Sequence, residues 1–98
     1  LKKKKKLVIF IEPRSKKVND FIVGTMQSIG LSPVDRHHTK LDTKGKEHQV
    51  WECELYFARA LILLRSKDFQ FSIWVDAGNN RIKSGEWLAK KSKKKKEA

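Results

Sequence analysis

The chain has one cysteine, two prolines and no apolar run approaching the length of a membrane crossing. With Cys53 alone, no internal disulfide can form, and a reducing, intracellular setting is expected, cytoplasmic or, in a eukaryote, nuclear. A bilayer span takes roughly eighteen or more consecutive apolar residues. The opening "LKKKKKLVIFIE" has the charged start of a secretion signal, but "LVIFI" is too short for its apolar stretch and Glu12 follows at once. Neither a leader nor a span is therefore expected. Acidic side chains are the scarcer sign: 11 stand against 23 lysines and arginines, for a formal net charge of +12.

With 98 residues, 39% of them hydrophobic, the chain is expected to form one domain around a modest core. That content excludes a wholly disordered chain, although 35% of the residues are charged. The charge is uneven. Lys2, Lys3, Lys4, Lys5 and Lys6 form a basic N-terminal arm over residues 1–6. Lys90, Lys91, Lys93, Lys94, Lys95 and Lys96 fill a tail over residues 90–98, broken only by Ser92 and closed by Glu97 and Ala98. Between them, residues 7–89 carry twelve basic and ten acidic side chains, so the body is nearly balanced. Such arms attract polyanions, and each phosphate they neutralise releases counterions. A membrane-surface helix would need an apolar face opposite the lysines. Trp87, Leu88 and Ala89 are all the C-terminal run offers, which argues against a membrane partner.

Periodicity gives the order strand, helix, strand, strand, helix, strand. "LVIFIE" reads as a strand buried on both faces and stopped by Pro13. Ser15 caps a helix over residues 16–29, with Val18, Phe21, Ile22, Met26 and Ile29 on one stripe and Gly30 as its terminator. Residues 31–57 read as two strands around a turn at "DTKGK". In the second, Trp51, Cys53, Leu55 and Phe57 alternate with Glu52, Glu54 and Tyr56. "ARALILLRSKD" fits either a short buried helix or the end of a longer one starting near Gln49. "FQFSIWVD" is a strand with Phe69, Phe71, Ile73 and Val75 on one face, "AGNN" a turn, and "RIKSGEWLAK" a short strand or helix. The expected fold is α+β: an antiparallel sheet covered on one face by about two helices, with a ferredoxin-like sandwich as the nearest architecture.

Two basic groups point to anion binding. In "EPRSKK", Arg14 precedes the cap, Ser15 is the cap, and Lys16 and Lys17 fill a first helical turn that favours acidic residues. Cations there suit a bound phosphate, or else extend into water. "DRHHTK" supplies Arg36, His37, His38 and Lys40, with Lys44 and Lys46 in the turn that follows. Adjacent histidines on a strand face opposite ways, as do His48 and Cys53, and no cysteine pair exists, so no metal or other cofactor is expected. A nuclease would need Glu12 together with Asp20, Asp35 or Asp42 to hold magnesium. A nucleophile would have to be Cys53, which falls in an apolar row, or Ser15.

"IFI" at 9–11 and "KDFQFSIW" at 67–74 are similar to the two strand motifs of RNA-recognition domains. That family stacks bases on aromatics of an open sheet face. Here the alternation puts Phe69 and Phe71 in the core, and the assignment fails on that point. Trp51 shares a face with Leu55 and is expected in the core. Trp74 shares one with Gln70, Ser72 and Asp76, which makes it the aromatic expected on the open sheet, for base stacking or for a partner subunit.

The leading expectation is a non-enzymatic nucleic-acid-binding protein that contacts the phosphate backbone through lysine arms and a basic helix start. The alternative is an assembly subunit, a homodimer or part of a larger particle, that binds protein through the Trp74 face. A small metal-dependent nuclease is the third reading.

Overall fold

The computed structural model describes residues 8–64 and 70–88. Its elements run β1 (Val8–Pro13), α1 (Lys16–Ser28), a 3-10 turn (Pro33–Arg36), β2 (His37–Asp42), β3 (Glu47–Glu54), α2 (Leu55–Leu64), β4 (Phe71–Gly78) and β5 (Arg81–Ser84). The mixture of helices and one sheet is as expected, and β5 resolves the ambiguous last segment as a strand. No helix among the described residues is long and apolar enough to cross a membrane.

β1 is central because its β-branched residues suit a strand and both of its edges are paired. It runs antiparallel to β3 on one side and to β4 on the other. α1 begins where Ser15 Oγ accepts the Val18 N–H at 3.2 Å. It buries Val18, Ile22 and Met26 and gives way to Gly30, whose φ of +85° favours glycine. Ile29 departs from its expected stripe: it lies one residue past the helix and is 51% exposed. In the β2–β3 turn, Asp42 Oδ1 accepts the Lys44 and Lys46 N–H groups, and Gly45 takes φ +88°. Asn79 and Asn80, at φ 54° and 62°, supply the paired left-handed residues of a tight hairpin between β4 and β5.

The strand alternation read through Phe57 stops at Glu54. Beyond it, Phe57, Ala58, Leu61 and Ile62 are all buried, a spacing that only a helix can place on one side. The expected row of Leu55 and Phe57 on the strand therefore belongs to α2.

The open ferredoxin-like sheet is replaced by a closed barrel in the order β1-β3-β2-β5-β4. β5 is the cause. It pairs antiparallel with β4 and, through Leu41↔Arg81 and Asp42↔Ile82, parallel with β2. The sheet is thus not wholly antiparallel, and both of its faces are enclosed over much of their area. Ile9, Ile11, Cys53, Phe71, Ile73 and Val75 point outward into a core with residues of α1 and α2. Phe10, Val50 and Ile82 point into the barrel, flanked by Val8 and Trp74. The buried position of Phe71 agrees with the alternation that ruled out a base-stacking role for it. Phe69 lies outside the described residues.

Candidate nucleic-acid interface

Register decides which side chains meet. Glu12 follows Phe10 on the inner face of β1, and His48 precedes Val50 on the inner face of β3. Lys40 pairs directly with His48 across the β2–β3 hairpin, which brings Asp42 beside the same ring. His48 is buried, 8% exposed, and held at both nitrogens. Nε2 lies 2.8 Å from Asp42 Oδ2, and Nδ1 lies 3.1 Å from both Glu12 oxygens. Trp74 Nε1–H donates to Glu12 Oε1 at 3.0 Å, and its ring lies against that of His48. A neutral imidazole has one N–H and one lone pair, whereas the imidazolium donates from both nitrogens. Two carboxylates at opposite ends of the ring therefore favour the charged form. Burial alone would lower the His48 pKa, but the hydrogen bonds to Asp42 and Glu12, with their charges, outweigh it and raise it above the ordinary 6.5. Asp42 falls from 3.8 to about 2, chiefly through the His48 hydrogen bond and then the Lys46 backbone N–H.

Glu12 and His48 help line a cleft of about 490 Å³. The β1–α1 connection and the start of α1 contribute Arg14, Ser15, Lys16 and Asn19 to it, and β2 and β3 contribute His37, Glu47, Gln49 and Trp51. His37 and Trp51 meet edge to face, with centroids 4.8 Å apart. The indole is fixed by Trp51 Nε1–H donating to Asn19 Oδ1 at 2.8 Å. Trp51 is half-buried, packed against the margin of the core rather than within it as expected.

The expected site residues divide sharply. Arg14, Ser15, Lys16 and His37 line the cleft. Arg14 also donates to Ser72 Oγ at 3.2 Å and lies 4.0 Å from Glu86, while Lys16 pairs with Asp20 at 3.5 Å. These acids offset part of the mismatch between cations and the helix start. Lys17 is exposed on α1 and makes no ion pair among the described residues. Lys44 and Lys46 are exposed in the β2–β3 turn.

Others make contacts within the chain. Arg36 donates to the Glu52 carbonyl at 3.2 Å and lies 3.5 Å from Glu54, clamping the 3-10 turn to β3. His38, on the face opposite to His37 as expected, contacts Glu52 at 2.7 Å. Lys40 Nζ sits 5.3 Å from the centroid of the Phe10 ring. Trp74 corrects the expectation of an exposed sheet aromatic. It shares a face with Ser72 and Asp76 as the alternation requires, but barrel closure turns that face inward, and the indole is half-buried. Lys2, Lys3, Lys4, Lys5 and Lys6, with Lys90, Lys91, Lys93, Lys94, Lys95 and Lys96, lie outside the described residues.

Of the carboxylates considered for magnesium, Glu12 and Asp42 do come close, but the His48 ring stands between them. Among the described residues no group of histidine, cysteine, aspartate and glutamate side chains is arranged to hold a metal ion. Both His48 nitrogens are engaged by carboxylates. Sequence reasoning missed this cluster. The signal was Asp42 and His48 close on either side of the four-residue "TKGK" turn, whereas Glu12 joins them only through long-range register. No family model, curated protein or solved structure matches the chain.

Proposed function

We propose that the chain binds nucleic acid without acting on it chemically, the lysine arms contacting phosphates and the cleft taking an unpaired nucleotide. The observation that carries this reading is that the His37–Trp51 ring pair lines the same cleft as Arg14 and Lys16. Aromatic rings and cations in one cleft suit a base and its phosphate together, and base stacking contributes roughly 1 to 3 kcal/mol. The net charge of +12 supplies the sequence-independent attraction.

The test is fluorescence anisotropy with a labelled single strand of about 12 nucleotides and its duplex across a salt series. Removing residues 1–6 and 90–98 should weaken both alike. If the arms contact about five phosphates, log K against log salt should slope near −4.5 on duplex DNA. His37→Ala should weaken the single strand more than the duplex. Binding that ignores salt, or a His37→Ala protein indistinguishable from wild type on both strands, overturns the reading.

A second reading, a protein-assembly subunit, is favoured by a different surface from the Trp74 face. Tyr56, Ala60 and Leu63 form an exposed stripe along α2, with Tyr56 63% and Leu63 57% exposed. Sedimentation of the free chain tests it: a monomer at all concentrations removes self-association.

A further inference from the structure

We propose that protonation of His48 governs how strongly the cleft holds a polyanion, so that binding weakens when the ring loses its proton. The inference rests on the nucleic-acid reading of the cleft and adds a regulator to it. Glu12 is a carboxylate lining a site meant for phosphate, which on its own opposes the proposed ligand. Its compensation is His48, whose Nδ1 lies 3.1 Å from both Glu12 oxygens. When the imidazole is charged, the cluster of Glu12, Asp42 and His48 carries one net negative charge. When it is neutral, the cluster carries two, and one ring nitrogen faces a carboxylate without a proton.

The surroundings leave the imidazole as the group that changes. From β1 comes Glu12. From β2 come Asp42 and Lys40, the residue paired with His48. The turn contributes Lys44 and Lys46, whose N–H groups hold Asp42 Oδ1. From β4 comes Trp74, which does not titrate in this range, with Asp76 further along the same face. From β5, Arg81 donates to the Asp42 carbonyl at 2.9 Å. Beside it on β3, Glu47 lines the cleft, as do Arg14 and Lys16 from the β1–α1 connection and the start of α1. The hydrogen bonds and charges of Asp42 and Glu12 outweigh burial and raise the His48 pKa above its ordinary 6.5.

The chain has three histidines, so His37→Gln with His38→Gln leaves His48 as the sole imidazole. Anisotropy of that double variant with an oligonucleotide lacking terminal phosphates removes the other groups that titrate nearby. Affinity should fall about three- to five-fold from about pH 6 to about pH 9, the size of one unit charge a few ångströms away in a solvated cleft. Linkage is reciprocal, so bound oligonucleotide should raise the pKa of the His48 ring, followed by NMR, by about half a pH unit. Adding Glu12→Gln should shift the fall in affinity to lower pH, because the ring loses one of the two carboxylates that favour its charged form; an unshifted fall would mean that His48 is not the group responsible. A titrating His48 ring with pH-independent affinity overturns the regulation and leaves nucleic-acid binding intact. Absence of binding by the unaltered chain at every pH removes the nucleic-acid reading, and the regulator with it.

Discussion

Trp74 and His48 lie against each other inside the barrel, with ring centroids 4.5 Å apart and planes tilted by 44°. The Trp74 N–H also holds Glu12, the carboxylate bound to His48. Packing and polar network are therefore one structure, and removing the indole disturbs both. Trp74→Ala should cost about 3 kcal/mol or more, through the void beside Phe10, Val50 and Ile82 and the donor lost to Glu12. Urea denaturation followed by circular dichroism measures it. A loss within the range of an ordinary surface change would show that the barrel interior does not depend on this ring.

Stability should pass through a maximum in mildly acidic solution. The folded pKa of His48 is raised, so its contribution is complete below the ordinary value of 6.5 and is lost as pH rises through the folded value. Asp42 is lowered to about 2, so its contribution is present above its ordinary 3.8 and is lost as pH falls through about 2. Together they place the optimum between the two ordinary values. His48→Gln should abolish the fall on the alkaline side, as read from denaturation midpoints across pH. A wild-type midpoint that keeps rising past neutrality would contradict the raised His48.

Lys17 is the helix-start cation without an ion pair among the described residues, whereas Lys16 has Asp20 one turn on. Lys17→Glu should therefore stabilise the free chain by a few tenths of a kcal/mol through the helix dipole. Lys16→Glu should gain less, because it would set a second carboxylate beside Asp20. Thermal melts of the two variants separate them. Equal gains would mean the Lys16–Asp20 pair contributes nothing.

Cys53 should be inert in the folded protein. Burial, and then the neighbouring Glu54 charge, push its thiol up to about 12, and it is 1% exposed. Alkylation near neutral pH should proceed only through unfolding, and its rate should follow denaturant as unfolding does. Fast modification under native conditions would mean that β3 and α2 separate readily.

The local grammar was plain in the residues. Ser15, Gly30 and the apolar stripe between them specify α1, and Phe71, Ile73 and Val75 specify the covered face of β4. Closure was not, because alternation says that Trp74, Ser72 and Asp76 share a face and is silent on whether that face is open. A curled sheet and a flat one share the same period of two. The cluster at His48 was hidden for the same reason: Glu12 is thirty-six residues away, and only the β1–β3 register brings it within reach. Sequence gives the charge of Lys40 and Arg36 but not their direction, and it could not show that Lys40 lies over the Phe10 ring or that Arg36 lies beside Glu54.

The barrel is closed by only two residue pairs between β2 and β5. Without them, β2 and β5 would each present a row of unpaired backbone groups, the template on which sheets recruit further chains and aggregate. Asp42 is one of the four residues in that seam, and Arg81, another, donates to its carbonyl. The carboxylate that steadies His48 thus also guards the joint, and a change made there to alter binding would expose the chain to fibrous self-assembly.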